Sequence, residues 1–90
     1  MCVAECEIMP VIAKFYGIII RMYFREHGVP HFHALYGEHV GVFAINPLKM
    51  IEGDLPARAK RLVREWAAEH RNDLQEIWKS QRFRKLPGLK

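Results

Sequence analysis

The stretch IIIRMYFREHGVPHFHALY, residues 18–36, decides the fold. Residues 18–25 are β-prone, and their side chains alternate between an apolar set and a basic-aromatic set. The two sets are Ile18, Ile20, Met22 and Phe24 on one face, and Ile19, Arg21, Tyr23 and Arg25 on the other. Period-two alternation is typical of a strand that buries one face. Gly28 and Pro30 then predict a turn, which is followed by a second strand over residues 31–36.

Further strands flank this pair on both sides. Residues 11–16 are β-prone and end at Gly17, and residues 39–45 form a strand after the tight turn at Gly37. Gly41 marks a bulge or a close approach within that strand. Residues 48–51 add a short strand or bridge. These segments predict an antiparallel meander of three to four strands.

A long helix follows the strands. Asp54 precedes Leu55-Pro56, which predicts a helix start because an Asp side chain caps free amides and Pro is tolerated in the first turn. The helix is expected from about Leu55 to Ser80. One of its faces is apolar: Ala59, Leu62, Val63, Trp66, Ala67, Leu74 and Ile77. The sequence therefore predicts an α+β fold in which one long C-terminal helix packs on one face of a small antiparallel sheet.

The length and composition indicate one domain. The chain has 90 residues, of which 50% are hydrophobic, so its core is thin and a homo-oligomer is a natural way to cover exposed surface. We expect an N-terminal extension over residues 1–8, a single domain over 9–80 and a basic C-terminal tail over 81–90. Cys2 and Cys6 both lie in the extension, where the sequence assigns them no role.

Location and partners follow from cysteine usage, hydropathy and charge. Without cysteines in the domain, a disulfide framework is not expected, and no segment has the roughly 18–20 apolar residues of a membrane span. The expected location is the cytoplasm. The net charge of +4 favours acidic partners such as nucleic acid, although a slight surplus of basic residues explains it equally well.

The helix carries a basic edge formed by Lys60, Arg64 and Arg71. Such an edge is a candidate for binding the phosphate backbone of nucleic acid or an acidic protein partner. An ordinary solvated helix face is the alternative.

Histidines cluster around the turn between the two central strands. His27 precedes the turn, and His31 and His33 project to one side of the second strand, close to Arg21, Tyr23 and Arg25 if the strands pair. Imidazole, guanidinium and phenol groups are the components of a metal-independent ribonuclease, in which they remove a proton, protonate the leaving oxygen and offset phosphorane charge.

Two other interpretations of the cluster stay open. His27, His31 and His33 are the candidate ligands of a divalent metal, although no cofactor is expected. The histidines are alternatively structural, with rings that hydrogen-bond to the backbone of the turn. His70, on the apolar face of the helix, is interpreted as a core histidine, or else as a group that reaches the sheet histidines.

Several stretches carry a family resemblance. They are residues 9–18, 20–24, 27–33 and 52–56, and residues 62–66 together with His70. Over residues 9–80 they resemble a bacterial family designated domain of unknown function number 4160. The resemblance implies a small protein often encoded beside another small protein, in an arrangement similar to toxin–antitoxin pairs. It assigns no catalytic residue and points only to the motif positions His27, His31 and His33.

Together these observations predict one component of a toxin–antitoxin-like module of two proteins. The chain would bind or act on RNA through its His/Arg/Tyr residues, and its partner would be a small cognate protein. The alternatives are a non-enzymatic module that binds protein or DNA, and a metal-binding protein.

Overall fold

The structure is a computed structural model that describes residues 10–23 and 28–89. The expected extension over residues 1–8, with Cys2 and Cys6, lies outside the described residues. So do two of the candidate site residues, Arg25 and His27. The limits expected for the domain itself stay a prediction.

An antiparallel sheet of five strands forms one layer of the domain. The strands are β1 (Val11–Phe15), β2 (Ile18–Arg21), β3 (His31–Tyr36), β4 (His39–Ala44) and β5 (Lys49–Gly53). They lie in the sheet in chain order, each hydrogen-bonded to the next. The α+β class is confirmed, but the expected count of three to four strands was too low. β5 is an edge strand whose side chains are mostly exposed, so it lacks the hydrophobic alternation that identifies a strand.

The alternation predicted for the central strands is confirmed. Ile18 and Ile20 of β2 are buried, as are Phe32 and Ala34 of β3. The ring of Phe32 stacks on Phe43 of β4 with centroids 5.4 Å apart. Side chains at the intervening positions are only half-buried, so the sheet has one core face and one open face.

Gly41 lies where β4 meets the start of the helical layer. A Cβ atom at this position would be 3.0 Å from Leu55 Cδ1 and Met50 Sδ, which is too close for an ordinary contact. The ladder between β4 and β5 shifts register immediately afterwards, between Val42 and Phe43. The close approach therefore applies to Gly41 itself, whereas the irregularity of the ladder lies one residue later.

Two helices replace the single long helix that the sequence predicts. They are α1 (Ala57–Glu69) and α2 (Arg71–Ser80), and His70 separates them with φ −116° and ψ 24°. The N–H of His70 donates to the carbonyls of Trp66 and Ala67, and the N–H of Leu74 donates to the carbonyl of His70. The sequence hides this break because no Gly or Pro marks it and the apolar pattern continues in phase through Leu74.

The start of α1 also differs from the expectation. Pro56 occupies the N-cap position without a side-chain capping hydrogen bond, so Asp54 is not the cap. The backbone N–H of Asp54 donates instead to the carbonyl of Val40, which ties the approach to α1 to the sheet. The apolar helix face is confirmed, with Leu62 half-buried and the other expected residues buried: Ala59, Val63, Trp66, Ala67, Leu74 and Ile77.

The segment after α2, expected as a basic tail, packs along the free edge of β1. Leu86 is buried, and its N–H donates to the carbonyl of Ile12 at 2.7 Å. The indole N–H of Trp66 donates to the carbonyl of Pro87, also at 2.7 Å. An edge strand presents unpaired backbone groups, and this segment covers part of that edge. None of the helices described is long and apolar enough to cross a membrane.

We predict that Leu86→Ala lowers the free energy of unfolding by about 2–4 kcal/mol, since it removes a buried side chain and leaves a cavity. Urea denaturation followed by circular dichroism measures the loss. Lys85→Ala, at the exposed neighbouring position, is the matched control and should change stability by less than about 0.5 kcal/mol. Equal stability of the two variants would show that the last residues do not contribute to the core.

Arg84 links the last segment to α2. One guanidinium nitrogen lies 3.1 Å from a carboxylate oxygen of Asp73 and 3.5 Å from one of Glu76. The hydrogen bond from Arg84 holds the pKa of the Asp73 carboxyl below its usual value of 3.8, against a smaller opposing effect of burial. A lowered pKa in the folded state stabilises the fold above the unfolded pKa, and this stabilisation is lost as the pH falls through the folded pKa.

We therefore predict that Arg84→Ala destabilises the protein by at most about 1 kcal/mol at pH 7, because both partners are largely exposed. The deficit should shrink as the pH falls below 3.8, the usual pKa of this carboxyl, and Asp73 becomes protonated through its lowered pKa. Urea titrations of both proteins across this range test the prediction, with Arg58→Ala as a control for simple loss of charge. A deficit that stays constant with pH contradicts the role of the ion pair.

Candidate nucleic-acid interface

Strand pairing places the candidate residues on the open face of the sheet. Arg21 of β2 lies directly opposite His33 of β3, and Ile19 lies opposite Leu35. On the other side of β3, His33 lies opposite Val42. Since directly paired residues project to the same face, Arg21 and His33 are neighbours there, as the sequence predicts.

Four rings on this side of the domain form a continuous series, which we call the aromatic row: Tyr23, His33, His31 and Trp78. Tyr23 stacks on His33 with centroids 4.3 Å apart and planes 13° apart. His33 meets His31 edge-on at 5.5 Å, and His31 meets Trp78 of α2 at 4.9 Å. All four side chains are half-buried, so each is held in place by neighbours while keeping some exposed surface.

His31 is oriented by the turn that precedes β3. Its Nδ1 atom lies 2.7 Å from the carbonyl oxygen of Val29. A carbonyl oxygen only accepts hydrogen bonds, so Nδ1 carries the proton and donates it. In the neutral ring this leaves Nε2 as the acceptor. The bond is the ring-to-backbone contact expected from the structural interpretation of the histidines.

His33 is placed differently from His31. Its Nε2 atom is shielded from solvent, and one face of its ring is covered by Tyr23. A general acid or base must reach the proton that it transfers, directly or through one water molecule. This arrangement therefore makes His33 better suited to holding a flat surface than to exchanging protons with a substrate.

The structure brings together four of the six expected site residues. Arg21, Tyr23, His31 and His33 share one region, whereas Arg25 and His27 lie outside the described part of the chain. Trp78 was missed by the sequence analysis. The available signal was a large aromatic residue four positions after the core residue Leu74, on the edge of the same apolar stripe.

The metal interpretation gains no support from residues 10–23 and 28–89, where no group of three His, Cys, Asp or Glu side chains is placed to hold an ion. His27, one of the three proposed ligands, is not among these residues. His70 does not join the aromatic row. Its ring packs on Trp66 with centroids 5.2 Å apart, and Nδ1 lies 3.6 Å from an oxygen of Asp73.

The helices carry a second candidate surface, which we call the basic groove. Its volume is about 530 Å³, and its cationic lining consists of Lys60, Arg61, Arg64 and Arg71. The three residues of the predicted basic edge therefore line one groove, together with Arg61. Ala57 and Ala68 contribute apolar surface, and Glu65 contributes a carboxylate. The described carboxylates form no ion pair with these four cations.

The fold and these two surfaces define a small α+β domain with an open, aromatic sheet face and a cationic helical groove. The family model described as Domain of unknown function (DUF4160) matches residues 17–79, so the chain belongs to that family. This match confirms the resemblance found in the sequence. Comparisons with curated proteins and with solved structures gave no match.

We predict that the neutral imidazole of His31 is the Nδ1-protonated tautomer, because Val29 offers only an acceptor. Long-range nitrogen–proton correlation spectra of the labelled protein measure this directly. His39 is exposed, and its ring serves as the solvent-facing comparison. A proton resident on Nε2 of His31 would contradict the hydrogen bond to the turn.

Proposed function

We propose that this protein binds single-stranded RNA on the open face of its sheet. The observation that carries the proposal is the aromatic row, in which Tyr23 after β2, two rings of β3 and one of α2 are held within 4.3–5.5 Å of their neighbours. Base–aromatic stacking contributes about 1–3 kcal/mol per base and tolerates any sequence. Arg21, beside His33, supplies a cation for an adjacent phosphate.

Binding is favoured over cleavage by the state of the two imidazoles. A metal-independent ribonuclease needs one ring to accept a proton and another to donate one at the scissile phosphate. Nε2 of His33 is shielded from solvent and is poorly placed for either transfer, and the bond to Val29 leaves His31 only Nε2 for one of the two. Both rings are half-buried, so each keeps some exposed surface, which stacking on a base requires.

The family relationship supports the second part of the proposal. We propose that the RNA-binding chain is one component of a module similar to toxin–antitoxin pairs, whose other component is a small cognate protein. This part depends on the resemblance and not on any contact in the structure. Copurification of the two chains after coexpression, with a defined stoichiometry, is the expected result.

We predict that Tyr23→Ala weakens binding of single-stranded RNA by about ten-fold or more, because a stacking surface worth about 1–3 kcal/mol is lost. Tyr23→Phe should retain most of the affinity, since it keeps the ring. Fluorescence anisotropy of a labelled oligonucleotide at low salt measures both. Single-stranded DNA of the same sequence shows whether the 2′-hydroxyl contributes.

Tyr16→Ala is the matched control for this experiment. Tyr16 is 51% exposed and lies outside the aromatic row, so its loss should leave RNA affinity unchanged. If the wild-type protein shows no salt-dependent binding to RNA, or if Tyr23→Ala binds RNA as the wild type does, the proposal is wrong.

The bond between His31 and Val29 favours one alternative function, a protein- or DNA-interaction module in which the histidines are structural. In that case His31→Ala would lower the free energy of unfolding and leave RNA affinity unchanged. Under the proposal made here, His31→Ala also weakens RNA binding, because the row is interrupted between His33 and Trp78. Measuring stability and affinity on the same variant separates the two functions.

A further inference from the structure

Helix α2 connects the two candidate surfaces. Trp78 ends the aromatic row and Arg71 belongs to the basic groove, and both residues are in α2. They are seven residues apart, so they lie on nearly the same side of the helix, about 10 Å apart along its axis. Gln75 is the half-buried residue between them on that side.

We propose that the aromatic row and the basic groove form one continuous RNA-binding track along this side of α2. The inference rests on the proposed function, since it assigns bases to the aromatic row and extends the same strand into the groove. Phosphates of the extended strand would bind Arg71, Arg64 and Lys60. The structure thereby assigns the groove a nucleic acid backbone as its ligand.

The distribution of charge on α2 fits such a track. The carboxylates of the helix, Asp73 and Glu76, lie about 160° and 140° around the axis from Arg71 at helical spacing. They are also paired with Arg84, at 3.1 and 3.5 Å. The negative charge of α2 is therefore kept on the side away from Arg71 and Trp78 and is offset there.

The cations of the groove are available for an anionic ligand. No described carboxylate lies within ion-pair distance of Lys60, Arg61, Arg64 or Arg71. Lys60 and Arg64 are four residues apart, so they follow one another along a single side of α1. Glu65 also lines the groove. An anionic ligand can bind despite this carboxylate if its own charges lie next to the arginines.

Continuity with the aromatic row favours RNA over an acidic protein as the occupant. A carboxylate-rich segment would satisfy the cations but would gain little from a line of stacked rings that begins about 10 Å further along the same side of α2. Single-stranded nucleic acid carries both parts of the required chemistry, since each nucleotide pairs one anionic phosphate with one stacking surface.

The test uses an RNA tetranucleotide, which covers the aromatic row alone, and a dodecanucleotide, which reaches the groove; site sizes of this class run from roughly 4 to 16 nucleotides. The variant is the double substitution Arg64→Ala with Arg71→Ala. We expect it to lower the slope of log affinity against log salt by about 1.4 for the dodecanucleotide, from about 0.7 per phosphate contact. Binding of the tetranucleotide should not change.

Arg58→Ala is the control, because Arg58 is exposed on α1 and is not part of the groove. It should leave the salt slope of the dodecanucleotide unchanged. Far-ultraviolet circular dichroism checks that the arginine variants, which change exposed side chains, and Tyr23→Ala, which changes a half-buried one, remain folded.

The outcomes separate this inference from the proposed function. If the wild-type protein binds neither oligonucleotide, the proposed function fails and the track fails with it. If the dodecanucleotide binds but keeps its salt slope in the double variant, RNA binds on the sheet and the track is wrong. If labelled polyglutamate binds the wild-type protein but not the double variant, and the dodecanucleotide does not displace it, the groove binds acidic protein and the track is wrong.

Discussion

Trp66 joins the three parts of this domain. Its ring packs on Phe15 of β1 and Phe32 of β3, at 5.4 and 6.0 Å between centroids, and its indole N–H donates to the carbonyl of Pro87. A buried indole both removes a large apolar area from water and requires a hydrogen-bond acceptor. The helical layer, the sheet and the last segment of the chain therefore depend on one side chain. Because this packing uses one face of the sheet, the side chains of the other face stay half-buried.

Among the described residues, stacked and edge-on ring contacts connect the aromatic side chains of the open face. Tyr23, just after β2, stacks on His33 of β3; His31 of the same strand follows, and Trp78 extends the series onto α2. The turn before β3 fixes the His31 ring through Val29, which prevents it from rotating freely. A pre-ordered row loses less conformational entropy on binding a base than a set of mobile rings would lose. Under the proposed function, histidines that look catalytic in the sequence form part of such a binding platform.

Much of the architecture was available from local patterns. Period-two alternation identified which side chains of β2 and β3 face the core, and helical periodicity identified the buried face of the helices. The same alternation correctly grouped Arg21 with Tyr23, and His31 with His33. Asp54 shows the limit of such reasoning, since a residue suited to capping instead makes a backbone bond to Val40. Capping preference is a local tendency, and pairing with the sheet outweighs it here.

The sequence by itself determined the two-faced sheet, the apolar helix face and the identity of most residues on the open face, because these follow from the fixed periods of strands and helices. Only the tertiary structure decided that the helix breaks at His70, that Leu86 closes the core against β1, and that Trp78 meets His31. The contacts of Leu86 and Trp78 join residues that are far apart in the chain. The break at His70 depends on a backbone angle that no Gly or Pro in the sequence indicates. Periodicity reports which way a side chain points, whereas packing between elements decides what it touches.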